Sequence, residues 1–256
     1  MPHAIHPGPC WPLHDTAATR RVERAAAATL PPHTLMQRAG LATARLALAL
    51  APHARTVWVA CGPGNNGGDG LEAAVHLHAW GLNPIVTWLG TPDTAPADAR
   101  ASWQRAAQAG VVFADEPPTG LGPQDLCIDA LLGIGAARPP TGRMANWLER
   151  LHAGPAPVLA VDLPTGLDAD TGWLPIPETT NSIAARADPA NARGQKHLKS
   201  KPPGRSDTGA SPPLPLGEGR GEGQQRKHPQ GAHQTHAERH TLSLLTLKPG
   251  LFTAHG

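Results

Sequence analysis

The chain has 256 residues, room for one large domain or two small ones, and its formal net charge of +2 is too small to argue for nucleic acid. Seven Trp, two Phe and no Tyr make aromatics scarce, while 29 Pro and 28 Gly together make about a fifth of the chain, high for a compact domain. Three widely spaced cysteines, Cys10, Cys61 and Cys127, form no C-x-x-C, which excludes a disulfide framework or a zinc site and points to a reducing, cytoplasmic setting. In chain order, MPHAIHPGPCWPL lacks a basic-then-apolar signal pattern, and no apolar run anywhere reaches the length of a membrane span. TAATRRVERAAAATL is Ala-rich and reads as a helix with Thr16 as N-cap. After the Pro31-Pro32 break, HTLMQRAGLATARLALALAP gives a second helix carrying Leu35, Leu41, Leu46 and Leu48.

TVWVAC, residues 56–61, reads as a buried strand that enters a glycine-rich loop, followed by an apolar-periodic helix with Leu71, Val75 and Leu77. A strand-to-helix turn of this kind leaves backbone N–H groups free at the positive end of a helix, where phosphate binds. Gly62, Gly64 and Gly67 satisfy G-x-G-x-x-G, a weak signal alone. Asn65, Asn66 and Asp69 sharpen it, because phosphate binding needs neither two amides nor a carboxylate there. Their oxygens suit a hard cation or the polar groups of a ribose and nicotinamide. Alternation then continues: a strand at 84–89, a helix at 97–110, short strand VVF, a strand at 125–132, helix MANWLERLH, and a strand at 158–163.

From about residue 175 to 236 aliphatic pairs vanish, and SPPLPLGEGRGEGQQRKHPQG cannot bury enough apolar area to offset its ordering entropy. Its basic residues come without aromatics for stacking, so it reads as a solvated insertion and not as a nucleic-acid arm. TLSLLTL, residues 241–247, then resumes a strand of the same sheet. The expected organisation is residues 1–177 as the first part of one domain, 178–236 as a disordered low-complexity insertion, and 237–256 as the last retained strand. Continuous apolar strands alternating with helices give an α/β fold, a mostly parallel sheet covered on both faces. Ligands of such sheets sit outside the carboxyl ends of the strands. Three strands deliver polar residues there: Asn65 to Asp69, Asp129 ahead of DALLGIGAARPPTG, and Asp162 with Thr165 in VDLPTGLDADTG. Each Asp taken alone reads better as a cap of the following turn or helix; three such clusters at equivalent strand ends describe a shared polar site. A P-loop kinase is excluded, since no Lys-Ser/Thr follows the glycines, and a dehydrogenase lacks its acidic residue about 20 positions on.

GPGNNGGDG, DALLGIG with a Pro-Thr-Gly turn, VDLPTGLDADTG, TLSLLTLKPGL and the helix LMQRAG resemble the NAD(P)H-hydrate epimerase family, the YjeF N-terminal domain, in family order. The resemblance implies a Rossmann-like three-layer sandwich that epimerises the R and S forms of hydrated NADH and NADPH, in nicotinamide cofactor repair. It implies a partner, an ADP- or ATP-dependent NAD(P)H-hydrate dehydratase, either separate or fused beyond KPGLFTAHG. It also implies a homodimer; the small net charge and the short apolar runs leave no nucleic-acid or membrane partner expected. By position, Asn65, Asn66, Gly67, Gly68 and Asp69 would contact substrate, with Gly133, Ile134, Gly135, Ala136, Ala137, Arg138 and Pro139 against its phosphates. Asp162 would meet the reacting ring as the acid/base, and potassium (K+) would lie on Asn66, Asp129 and Thr165. The chain departs from the family in its insertion, in Gln37 for the usual Glu, and in stopping at Gly256 before the closing strand. The alternative reading is a catalytically impaired nucleotide-binding protein of the same fold.

Overall fold

The structure, a computed structural model, describes residues 12–136, 138–174, 238–248 and 251, all within the compact unit Met1–Pro177 with Thr235–Gly256. The expected insertion at 178–236 lies outside the described residues. Six strands, β1 (Val57–Cys61), β2 (Pro84–Trp88), β3 (Val112–Phe113), β4 (Leu126–Ala130), β5 (Val158–Val161) and β6 (Arg239–Leu242), form one sheet in the order β3-β2-β1-β4-β5-β6. Every pairing is parallel, and β1 sets the central register with Ala60 opposite Thr87 on one side and Asp129 on the other. The order reverses between β1 and β4, the switch point where open α/β sheets place their ligands.

β1, β4 and β5 are buried along their whole length, which is why they read as continuous apolar runs without alternation. Their alternate residues still divide between two cores. Val57, Val59, Leu126 and Ile128 pack with Leu71, Ala74 and Leu77 of helix α3 (Asn65–Ala79). Trp58, Ala60 and Cys127 pack on the opposite face with Trp147 and Leu151 of α5 (Gly142–Ala153). Helices α2 (Thr34–Leu50) and α4 (Ala97–Gln108) lie against α3, with Ala44, Ala47 and Ala106 in the same core. The layers are therefore helix, sheet and helix. Burial pushes the Cys127 thiol up to about 12, and Cys61 further, so both behave as small core residues. Among the described residues no helix is long and apolar enough to cross a membrane.

Strands β2, β4 and β5 and helix α4 end at Trp88, Ala130, Val161 and Gln108, one or two residues short of the sequence expectation, and four further boundaries differ from it. Helix α1 (Thr16–Ala27) is capped by Asp15, whose carboxylate accepts from Ala18 N at 2.6 Å, and Thr16 is its first residue. Helix α5 starts at Gly142, before MANWLERLH. The glycine-rich loop is short: α3 begins at Asn65, so Asn65 to Asp69 lie on its first turns. Gly67 and Gly68 are used there for close packing, since a Cβ on Gly68 would lie 2.6 Å from Met36 Sδ and 2.9 Å from Ala99 Cα. Tight helix contact overrides the poor helix propensity of glycine. Strand β6 also ends early, at Leu242, because Leu245 adopts φ 59 and turns the chain out of the sheet.

Candidate functional site

β1, β4 and β5 are neighbours, so their carboxyl ends meet. The turn after β1 is pinned from both sides: Gly62 N donates to Ala130 O at 3.0 Å, and Trp88 Nε1 donates to Gly62 O at 3.1 Å. It feeds α3, whose first N–H groups have no intrahelical partner and face outward from the sheet's carboxyl edge. Over this edge opens a cavity of about 800 Å³, within the range of small-molecule sites. Asn65, Asn66, Asp69, Gly133, Ile134, Gly135, Ala136 and Asp162 line it, and helices α1 and α2 supply the opposite wall.

Asp162 follows β5 in the left-handed region at φ 69, a conformation that Asp tolerates better than most side chains. Its backbone N donates to Leu242 O at 2.8 Å, so β6 helps to hold the turn. Both carboxylate oxygens are engaged: Oδ2 accepts from Ile134 N at 3.2 Å, and Oδ1 accepts from the ammonium of Lys248. The approach to the β4 loop is close. A Cβ on Gly133 would stand 2.8 Å from Asp162 Oδ2 and 3.2 Å from Asn66 Oδ1, so Gly133 brings those two side chains together.

Behind the cavity floor, Asp129 ties the β5 turn to β4. Thr165 N donates to Asp129 Oδ2 at 3.0 Å, Thr165 Oγ1 donates to Oδ1 at 2.7 Å, and Leu131 N donates to Oδ1 at 3.2 Å. Burial raises the Asp129 carboxyl above the ordinary carboxylate value, and the bonds from Thr165 and Leu131 oppose that rise. The turn-cap role that its sequence position allows is thus realised. Thr165 Oγ1 also accepts from Leu132 N at 3.0 Å. Nearby, the buried end of Asn66, assigned as Nδ2, has no hydrogen-bond partner. The two ends of an amide are exchangeable by rotation, and an oxygen turned that way would be an open acceptor. Carboxylate, hydroxyl and amide oxygens are the donor set that a hard cation takes; of these three residues Asn66 has the unpartnered end, while both Asp129 oxygens and Thr165 Oγ1 are already hydrogen-bonded.

Asp69, one turn into α3, is partly exposed, and it borders the cavity. Its carboxyl is pushed well above the ordinary value, first by burial and then by the negative charges of Asp162, Glu23, Asp98 and Glu72. Asp69 and Asp162 thus place two carboxyl groups in unlike settings, one short of countercharge and one facing a lysine.

Not every expected contact faces the cavity. Gly67 and Gly68 are buried and do not line it, and Gly68 N is already spent on Gly64 O at 3.2 Å. Their role is to seat α3. Asp129 and Thr165 lie beneath the floor, while Arg138 and Pro139 are exposed on the loop and outside the cavity wall. Ala137 lies outside the described residues. Sequence reasoning missed Lys248, a lone lysine in an apolar run, and the α1–α2 wall. That wall includes Arg20, His33, Met36 and Arg38, the last two from LMQRAG. His33 Nδ1 meets Asp98 Oδ1 at 2.5 Å on the rim.

Fold and site together define a doubly wound α/β domain with a cavity of about 800 Å³ at its switch point, edged by the polar side chains of Asn65, Asn66, Asp69 and Asp162. The profile of the family described as YjeF-related protein N-terminus matches residues 32–188. The chain belongs to that family. The NAD(P)H-hydrate epimerase of Rhodobacter capsulatus is 37% identical over 188 residues, covering 68% of this chain and 88% of the relative. The NAD(P)H-hydrate epimerase of Bordetella pertussis is 43% identical over 139 residues, covering 54% of this chain and 60% of its own. The bifunctional NAD(P)H-hydrate repair enzyme Nnr of Thermofilum pendens is 36% identical over 161 residues, 60% of this chain but 30% of that protein. The chain therefore spans less than two thirds of these last two relatives. A crystal structure of yeast ynu0 superposes with a TM-score of 0.56 at 24% identity, over 65% of this chain and 76% of that one, a likeness of fold.

Proposed function

We propose that this protein epimerises the R and S forms of hydrated NADH and NADPH. The observation that carries the reading is the Asp162 carboxylate, fixed by Lys248 and Ile134 N at the floor of a cavity that begins at a helix N-terminus. The relatives named NAD(P)H-hydrate epimerase support the same substrate.

The reacting carbon of a nicotinamide hydrate bears a hydroxyl and the ring nitrogen. Protonating the hydroxyl releases water, the nitrogen lone pair leaves an iminium cation, and water returned to the other face gives the second epimer. That route needs a proton delivered and recovered, and a negative group beside a transient positive charge. Asp162 is the acid/base and counter-charge in this reading. Asn65, Asn66 and Asp69 bind the polar parts of the substrate from α3. The β4 loop at Gly133 and Gly135, which line the cavity, lies against its phosphates in this reading. Asn66, Asp129 and Thr165 would hold a potassium ion, which when bound would brace the three loops and balance part of the diphosphate charge.

The protein would work in the cytoplasm, alongside a nucleotide-dependent hydrate dehydratase that consumes one epimer, and as a homodimer. The test is to add the purified full chain to one epimer of NADHX and follow the other by chromatography, with Asp162→Asn in parallel. An acceleration lost by about 100-fold in the variant is expected, the scale of a positioned acid/base. Substrate binding with no rate above the spontaneous one would instead establish the non-catalytic nucleotide-binding alternative.

A further inference from the structure

We infer that Lys248 is the positioning residue for Asp162, so that the active site is completed by the segment after β6. Lys248 is wholly buried and does not line the cavity. Its ammonium has three protons and three acceptors: Asp162 Oδ1, Leu244 O at 2.6 Å and Ser243 Oγ at 3.2 Å. No proton is left for a substrate, so Lys248 acts through Asp162 and does not touch the reaction itself.

The turn that delivers it is built for the purpose. Leu245 takes φ 59, Thr246 N donates to Leu244 O at 2.7 Å, and Ser243 Oγ donates to Thr246 O at 2.8 Å. The chain then docks against the start of α1, where His14 N donates to Leu247 O at 2.8 Å and Thr19 Oγ1 meets Thr246 Oγ1 at 2.7 Å. Two partners 86 positions apart in sequence are thereby brought into a buried ion pair. Stability alone does not account for it, because buried ion pairs are commonly matched or bettered by well-packed apolar residues. What the pair does is fix direction. Lys248 holds Oδ1 from below and Ile134 N holds Oδ2 from the β4 loop, so the carboxylate plane is set from two sides.

The activity readout of this inference rests on the epimerase reading; its stability readout does not. In the full chain, Lys248→Met should lower kcat by about 100-fold, the cost of a displaced catalytic group, and change KM far less. Lys248→Arg, which keeps the charge, should recover about tenfold of that loss. Melting temperatures of Lys248→Met, Asp162→Asn and the double variant close a cycle. The double variant should be more stable than the two single shifts add up to, since neither charge is then left alone. A kcat unchanged in Lys248→Met, or a loss confined to KM, overturns the inference. If the unmodified chain itself shows no epimerisation, that reading fails, and additive melting shifts then overturn this one while coupled shifts support it.

Discussion

The Asp69 carboxyl yields a test that needs no substrate. Its folded-state value is raised, first by burial and then by Asp162, Glu23, Asp98 and Glu72, so the folded chain holds the proton more tightly than the unfolded chain does. The sign follows from linkage. Stability from this group is fully present below the ordinary carboxylate value and is lost as pH climbs through the raised folded value. One titrating proton can change unfolding free energy by at most about 1.4 kcal/mol per pH unit. For a domain of this size each 1 kcal/mol moves the melting temperature by about 2–4 °C.

Asp69→Asn keeps the shape and removes the charge. The variant should therefore match the unmodified protein near pH 4.5 and melt higher near pH 7.5, with the gap widening as pH rises. Asp129, raised by burial in the same sense, leaves a residual slope in both proteins. The assay is thermal or urea unfolding across that pH range without ligand. Equal pH slopes in the two proteins, or a variant less stable at neutral pH, would refute the claim that Asp69 carries an uncompensated charge. Activity should fall in the same variant, because Asp69 borders the cavity and the amide cannot titrate.

Potassium should raise the melting temperature more than lithium at equal ionic strength, with about 2.7 kcal/mol expected at 100 times the dissociation constant. Asp129→Ala should erase that difference while the exposed control Asp93→Ala keeps it; equal melting in both salts for the unmodified chain would count against the cation site. Gly133→Ala should cost about 1–3 kcal/mol of overpacking and lower kcat, since its methyl would stand 2.8 Å from Asp162 Oδ2 and 3.2 Å from Asn66 Oδ1. Urea unfolding and the epimer assay measure the two effects, and no change in either would mean that the loop yields freely there.

The strands were legible where burial is two-sided. Residues 57–61, 126–130 and 158–161 carry unbroken apolar runs, and their carboxyl ends do bring Asn66, Gly133 and Asp162 together. Local propensity misled where packing decides. Asn65 to Asp69 look like a loop because glycine and asparagine are weak helix formers, yet α3 needs those glycines to pass close to Met36 and Ala99. TLSLLTL looks like a further strand of the sheet for its leucines, yet the hydrogen bonds of Ser243 and Lys248 fold it back after Leu242.

Lys248 shows why part of the site could not be read from sequence. A lysine after an apolar run ordinarily marks the return to solvent, because an unpaired ammonium is too costly to bury. Only its partner reverses that inference, and Asp162 lies 86 positions earlier, in a motif with a sufficient local role of its own. Neither residue signals the other, since pairing follows from β6 adding beside β5 and from the turn at Leu245. The same topology bears on one departure from the family pattern, the long separation between VDLPTGLDADTG and TLSLLTLKPGL. β6 still pairs in register with β5, Val158 to Arg239 through Val161 to Leu242, and still delivers Lys248. Loop closure grows costlier only slowly with length, so extra chain between two well-paired strands weakens the site little. The later segment thus keeps both its registry with β5 and the contact of Lys248 with Asp162.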